Sequence, residues 1–446
     1  MNDRLSIFAA ARQAPEAIGL RTDQRSFSFA ELAQAAAQRM RAAELQQPLH
    51  LPYVLDGTST FDTVITLYAL LQLRRPALLL HPKLTPSERS GALRTVERGA
   101  AMLPGDAALI VLTSGTTGEP RAAVLSRGAL LASAAASAAN LGWLDGDCWL
   151  LAMPIARVGG LSILTRCLIA RRTVALAAGF DAVQLPGFIE RHRVTIASLV
   201  PAMLAKVLDA HPRWTPPAHL RVVQIGGAAA PSTLLERAAR RGVPIVVTYG
   251  CTETCSQVVV TPYELRFDAA RCGAGRPLPG AQVRVVDGHI EVRGPMRMAG
   301  YAGEPPLDPQ AWFDTGDLGE FDTDGFLHVH GRAGDVIITG GENVYPVEVE
   351  RVLESFPGVA AAGVFGVPDE TWGEVVAAAV VTRGEPVDEA ELVAFVAARL
   401  SPHKLPRAIC EVPALPHTAA GKPDRAALAS LAKRLRPLPI GRRADR

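Results

Sequence analysis

The chain has 446 residues, 48% of them hydrophobic and 20% charged, enough for about two to four domains and a substantial core, and this composition is that of a globular protein and argues against disorder. A formal net charge of +2 gives no reason to expect nucleic acid as a partner. Six cysteines over this length make no disulfide framework, and Cys251 and Cys255, close enough to suggest a metal pair, have no second pair behind them. They read as buried or incidental thiols of a cytoplasmic protein. No leader pattern opens the chain and no apolar run reaches the ~18 residues of a spanning helix.

The first hundred residues alternate helix and strand patterns. A helical run starts at Phe29 and reaches about Glu44, 51–55 reads as a strand, 61–73 as a helix, and 77–80 as a strand stopped by Pro82. Such alternation implies a parallel, covered sheet, and nothing in it demands chemistry. The stretch IVLTSGTTGEPRAAVLS, from Ile110 to Ser126, is different. An apolar strand runs to Thr113 and enters Ser114-Gly115-Thr116-Thr117-Gly118; apolar residues resume at Val124, and an Ala-rich helical run follows from Ala129. Glycines let backbone N–H groups approach a ligand, and the hydroxyls add donors, a combination that suits a phosphate chain. The Walker pattern is absent, and a plain Ser/Thr/Gly turn between strand and helix accounts for the same residues.

A buried strand at 148–153 leads into Arg157-Val158-Gly159-Gly160-Leu161 and a helix that carries Arg166 within ILTRCLIA. Arg166 reads either as a side chain snorkelling at the helix edge or as a cation held for a substrate carboxylate. Strands at 195–200 and 220–225 follow, the second with Gly226-Gly227-Ala228 at its carboxyl end, where open α/β sheets place ligands. A strand at 245–248 leads into Tyr249-Gly250-Cys251-Thr252-Glu253-Thr254. An aromatic, a glycine, a hydroxyl and a carboxylate in series could stack a base, admit a phosphate and hold Mg2+; a strand-end turn with a surface Glu explains them equally.

From about Cys272 short strands prevail (282–286, 289–292, 326–329), with Asp287-Gly288 as a hairpin signal. Asp317 sits beside a glycine turn, in a setting suited to a ribose diol. Gly331 to Asp335 is a candidate boundary. Beyond it the pattern is a small α/β unit, with strands at 336–338, 359–367 and 375–382 and helices at 346–355 and 388–400. Near its end Lys422 occupies an exposed turn, where a solvated charge is the ordinary explanation. The basic tail past Lys433 is expected to fray.

Taken in order from residue 110 to 425, these pieces resemble the acyl-adenylate-forming superfamily: acyl-CoA synthetases, luciferases and peptide-synthetase adenylation domains. The resemblance implies an α/β fold. Residues 1–331 would form a large domain of covered, mostly parallel sheets plus a small β-rich part, 332–334 a hinge, and 335–446 a small mobile α+β domain. It also implies ATP-dependent activation of a carboxylic acid to acyl-AMP, then thioester formation with CoA. Thr113 and Ser114 to Gly118 would then hold the β- and γ-phosphates, Gly227, Ala228, Tyr249 and Gly250 the adenine end, and Asp317 and Arg332 the ribose. Thr252 would contact the α-phosphate, Glu253 would hold Mg2+, and Lys422 would act at the α-phosphate. Gly340, Gly341 and Glu342 would meet the pantetheine arm, and Gly334 would be the hinge.

Within the superfamily the chain is most similar to the o-succinylbenzoate–CoA ligase family of menaquinone biosynthesis, through Val158 to Leu161, Arg166 and Ala197 to Pro201. In that family an Arg at the position of Arg166 can pair with the acid's second carboxylate, and Arg157, Gly159 and Gly160 would lie beside it. Three positions depart from the superfamily pattern: Arg121-Ala122 stands for Lys-Gly, Gly334 for the usual hinge Asp or Lys, and Arg157 for a His. The partners implied are the acid, ATP and CoA, with a homodimer left open. Loading of a carrier protein and a silent acyl-nucleotide binder are the competing expectations.

Overall fold

The computed structural model describes residues 3–42, 45, 51–113, 121–384, 386–417 and 424–438. Two of the expected site segments, Ser114 to Gly118 and Lys422, lie outside them.

Four sheets organise the described residues. The largest has nine strands. Six of them (Ile18–Arg21, Thr173–Leu176, Cys148–Leu151, Ile196–Leu199, Val222–Ile225 and Ile245–Cys251) run parallel in that spatial order. Antiparallel strands close both edges. Cys148–Leu151, Thr173–Leu176, Ile196–Leu199 and Val222–Ile225 are buried at every position, as a sheet covered on both faces requires. A second sheet of five strands joins Tyr53–Asp56, Ala77–Leu80 and Ala107–Thr113 in parallel to the antiparallel Arg121–Ser126 and Gly300–Tyr301. Four antiparallel strands, Gln282–Val286, His289–Arg293, Phe313–Phe321 and Leu327–Arg332, form the third. The last sheet, from Ile337–Thr339 onward, is mixed and carries the helices Pro346–Glu354 and Glu389–Ala397. This is the expected α/β class, with covered sheets, a β-rich part and a small α+β unit.

Local chemistry sets the boundaries. The helix Phe61–Leu73 begins at the Thr60 hydroxyl, which accepts from Thr63 N–H, and every residue from Thr63 to Leu71 is buried, so the helix is core on all sides. Ser28 and Glu31 form a reciprocal capping box at the start of Phe29–Arg39. That helix stops at Arg39 rather than near Glu44. In the hairpin at Asp287-Gly288 both residues take positive φ, 49° and 81°, as the two-residue turn requires.

The expected Ala-rich helix is present as Arg127–Leu141, and the stretch before it, Arg121–Ser126, is a strand that pairs antiparallel with Ala107–Thr113, Thr113 opposite Arg121. Two expectations are corrected. The strand before Thr252 runs to Cys251, so Tyr249 and Gly250 are strand residues, and Asp317 likewise lies within Phe313–Phe321. The basic tail does not fray at Lys433. Arg436–Pro437 adds to the last sheet, and Leu438 N–H donates to Arg407 O at 2.9 Å.

Candidate functional site

Near its carboxyl end the Ile245–Cys251 strand, parallel neighbour of Val222–Ile225, meets Phe313–Phe321 through Tyr249. Gly226 and Gly227 turn the chain away after Val222–Ile225, Gly227 at φ +81°. Gly250 is fixed by contact: a Cβ there would lie 1.9 Å from Ser256 O on the neighbouring strand, so only glycine allows the two backbones to approach this closely.

Asp317 and Arg332 face each other across adjacent strands and pair at 3.0 Å, Nε to Oδ1. Arg332 also donates to Thr315 O at 2.6 Å. The Tyr249 hydroxyl donates to Asp317 Oδ2 at 2.8 Å and lies 3.0 Å from Thr315 Oγ1. Burial, then the Asp317 charge, pushes the Tyr249 phenol above its ordinary value, so it stays a donor. For Arg332 burial works against the charge, but Asp317 and its neighbours outweigh it and hold the guanidinium above the usual range. The cluster is a neutralised, hydrogen-bonded polar wall.

Thr252–Thr254 forms one turn of 3₁₀ helix immediately after Cys251. It puts Glu253 between the nine-stranded and five-stranded sheets: Met298 N–H donates to Glu253 O at 2.7 Å, and the Tyr301 hydroxyl donates to Glu253 Oε1 at 2.9 Å. Among the described residues no basic side chain pairs with this carboxylate. A half-buried carboxylate with hard oxygen donors and no cation fits Mg2+. Cys251 and Cys255 are free thiols, pushed up by burial, and no cluster of metal-ligating side chains surrounds them among the described residues.

The other half of the site is the helix Val158–Ala170. Gly160 packs against the preceding turn, where a Cβ would come 2.6 Å from Pro154 O. Its identity therefore follows from packing. Arg157 precedes the first helical residue, and its Nε is buried without a partner among the described residues. Arg166, two turns further on, is only 2% exposed, so it does not snorkel. Its guanidinium lies 5.8 Å from the Trp149 ring centroid and reaches Gln257 Oε1 and Ser133 Oγ only at 3.4 Å. Its Nε has no partner, and burial pulls its pKa down to about 10. Gln257 is the strand partner of Gly250, which puts the Arg166 cation one strand from the Tyr249 cluster. A second buried polar run, Trp149 Nε1 to Ser198 Oγ (2.9 Å) and Ser198 Oγ to Gln224 Oε1 (3.4 Å), ends on Gln224 Nε2, which also has no partner among the described residues.

The remaining expected residues lie elsewhere. Gly340 and Gly341, both at positive φ, form the turn between the strands Ile337–Thr339 and Glu342–Val344, with Trp372 against Gly340. Gly334 sits in the 3₁₀ turn Ala333–Asp335 that follows Leu327–Arg332, with open space where a Cβ would be.

The family model for AMP-binding enzymes matches residues 95–302, and that for the AMP-binding enzyme C-terminal domain matches 348–422. A 2-succinylbenzoate–CoA ligase from Bacillus licheniformis is 42% identical over 331 residues, which is 71% of this chain and 68% of the relative. The chain belongs to the AMP-binding enzyme family. Among solved structures, this AMP-binding enzyme is similar to o-succinylbenzoate CoA synthetase (MenE) from Bacillus subtilis in complex with the acyl-adenylate intermediate OSB-AMP. The identity is 32%, 99% of each chain is covered and the TM-score is 0.87. A double mutant of the same synthetase, bound to its product analogue OSB-NCoA, covers 98% of this chain and 99% of its own at 32% identity. Its TM-score is 0.68. Nearly the same residues match in both cases, so the difference lies in arrangement. The AMP-binding enzyme described here superposes more closely on the adenylate-bound relative. Sequence reading missed Tyr301, Thr315, Gln224 and Gln257. A lone Tyr, Thr or Gln in a strand carries no local signal of what faces it across a sheet.

Proposed function

We propose that the chain is an AMP-forming acid–CoA ligase whose acid is o-succinylbenzoate. The observation that carries this reading is the match, along 99% of both chains, to a relative holding the acyl-adenylate of that acid. The buried Arg166 cation, with no carboxylate beside it among the described residues, supports a dicarboxylic acid. An unneutralised buried charge is costly, and a substrate carboxylate arriving there relieves that cost. In this reading Arg157, Gly159 and Gly160 lie beside that carboxylate.

In this reading the acid's reacting carboxylate oxygen attacks the α-phosphorus of ATP, the bond to the bridging oxygen breaks, and pyrophosphate leaves. The CoA thiol then attacks the acyl carbonyl and AMP leaves. Asp317 and Arg332 bind the ribose hydroxyls, and Tyr249, tethered through its hydroxyl, presents its ring to adenine beside Gly227, Ala228 and Gly250. Thr252 contacts the α-phosphate. Thr113 and Ser114 to Gly118 take the β- and γ-phosphates, and Lys422 stabilises charge building on the bridging oxygen, the kind of electrostatic term that often dominates. Mg2+ held by Glu253 would offset phosphate charge. The division at 332–334 lets the C-terminal unit turn about Gly334 and bring Gly340, Gly341 and Glu342 to the pantetheine arm, a recognised gating device. The two TM-scores against one synthetase, 0.87 and 0.68, support two such arrangements. A cytoplasmic location accords with the use of ATP and CoA.

The test is pyrophosphate release with ATP and Mg2+ over o-succinylbenzoate, benzoate, a hydroxybenzoate and a medium-chain fatty acid, each with and without CoA. Selective turnover of o-succinylbenzoate with thioester product is expected. Selective turnover of a monocarboxylate would overturn the choice of acid, and adenylation without transfer to CoA would point to a carrier protein.

A further inference from the structure

Arg121 stands where related loops carry lysine, and its surroundings give that difference a use. Its guanidinium carbon lies 3.5 Å from the centroid of the Tyr301 ring, and its Nη2 donates to both carboxylate oxygens of Glu304, at 2.8 and 2.7 Å. The ion pair is about half exposed on both sides, 44% and 48%, and on its own contributes little. The geometry matters more: one guanidinium group lies over the ring and at the same time holds Glu304 through Nη2, and a planar, delocalised cation is suited to stacking on an aromatic face in a way a lysine ammonium is not. The ring below belongs to the two-residue strand Gly300–Tyr301, paired with Arg121–Ser126 so that Tyr301 faces Ala123. Its hydroxyl reaches out of that sheet to Glu253 Oε1 at 2.9 Å.

We propose that Tyr301 is a positioning residue that orients the Glu253 carboxylate for Mg2+, and that Arg121 and Glu304 fix Tyr301 in turn. This rests on the assignment of Glu253 to the metal made above. The Tyr301 proton occupies one oxygen of Glu253 and sets the carboxylate plane, which leaves the other oxygen to the cation. Ligands that accept such a hydrogen bond are pre-aimed, and losing the outer partner typically costs 10–100-fold in metal affinity. The arrangement also ties the strand that leaves the phosphate segment to the metal carboxylate.

The experiment is calorimetric binding of ATP to the full chain, once with excess Mg2+ and once with EDTA, and the readout is the ratio of the two dissociation constants. For Tyr301→Phe the Mg2+-dependent tightening is expected to shrink about tenfold, with the EDTA value unchanged. Arg121→Ala is expected to reduce it by a smaller factor, and Arg121→Lys not to restore it. A wild-type ratio in Tyr301→Phe overturns the proposal. Should that variant not fold, Arg121→Ala decides the matter, since a wild-type ratio there equally overturns it. Glu253→Gln separates this failure from that of the underlying assignment. If its ratio is also that of the wild type, Glu253 does not hold the metal; if it collapses while Tyr301→Phe stays normal, only the positioning role falls.

Discussion

The Asp317–Arg332 pair and Arg166 place arginine side chains in the same site, separated by little more than a strand, yet in opposite electrostatic states. Arg332 is neutralised by a carboxylate, braced by Thr315 O and surrounded by groups that raise its pKa. Arg166 is more deeply buried, touches only neutral oxygens at 3.4 Å and has its pKa pulled down to about 10. The first is a finished structure that a neutral diol can join without disturbing the charge balance. The second is an unfinished one, completed only by an anion. The proposed function, with a neutral sugar bound at one end and a charged acid at the other, calls for both conditions.

Removing the neutralising partner is the most severe way to break this contrast. In Asp317→Ala the tyrosine and arginine lose their shared acceptor; the Arg332 side chain is 42% exposed, and hydrogen bonds to a charged group contribute roughly 1.5–3 kcal/mol. kcat/KM for ATP should fall by roughly that free energy while the acid's KM stays near wild type; an ATP affinity equal to wild type would remove Asp317 from the ribose site. Arg166→Met comes next. Hydrogen bonds to a charged group contribute roughly 1.5–3 kcal/mol, so the KM for o-succinylbenzoate should rise about 10–100-fold while that for benzoate does not. Replacing an unpaired buried ion by an apolar residue of similar length is often neutral or stabilising, so the melting temperature should hold or rise. An equal rise in KM for both acids contradicts the pocket assignment.

Glu354 supplies a control outside the site. Burial lifts its carboxyl to about 7, against the opposing pull of Ala362 N–H. A carboxyl whose pKa is higher folded than unfolded binds its proton more tightly in the fold. Its favourable contribution is complete below about 4.5 and is lost as pH rises towards 7. Above that, the fold carries the cost of a buried carboxylate. Glu354→Gln should therefore stabilise the protein at pH 8 by on the order of 2 kcal/mol, and the gain should vanish near pH 5 in paired melting curves. A gain independent of pH would refute the account. The smallest effect expected is that of Tyr249→Phe, about 1 kcal/mol in ATP binding from one hydrogen bond lost.

Much of the fold was legible because its signals are local. The helix at 61–73, the strand at 77–80 and the hairpin at Asp287-Gly288 each carry their own pattern or turn chemistry, and the structure places them where that chemistry implies. The strand Arg121–Ser126 was not legible, since its partners at 107–113 and 300–301 come from both sides in sequence and one of them is only two residues long. The same holds for Arg436–Pro437, which is ordered by pairing with Ala408–Glu411. Within the site, Asp317, Arg332, Tyr249 and Glu253 could be picked out from short ordered motifs. The isolation of Arg166 could not, because whether a buried cation lacks a counter-ion depends on every element packed around it.

The segment from Met298 to Tyr301 is a stitch between sheets. Its first backbone N–H holds the Glu253 carbonyl, and its last two residues belong to the sheet of Arg121–Ser126. Anyone recombining this chain with a relative inherits a constraint from that seam. Residues 251–257 and 296–304 have to come from the same parent, however far apart they stand in sequence. A crossover placed between them would exchange two well-formed halves whose joint was never made for each other.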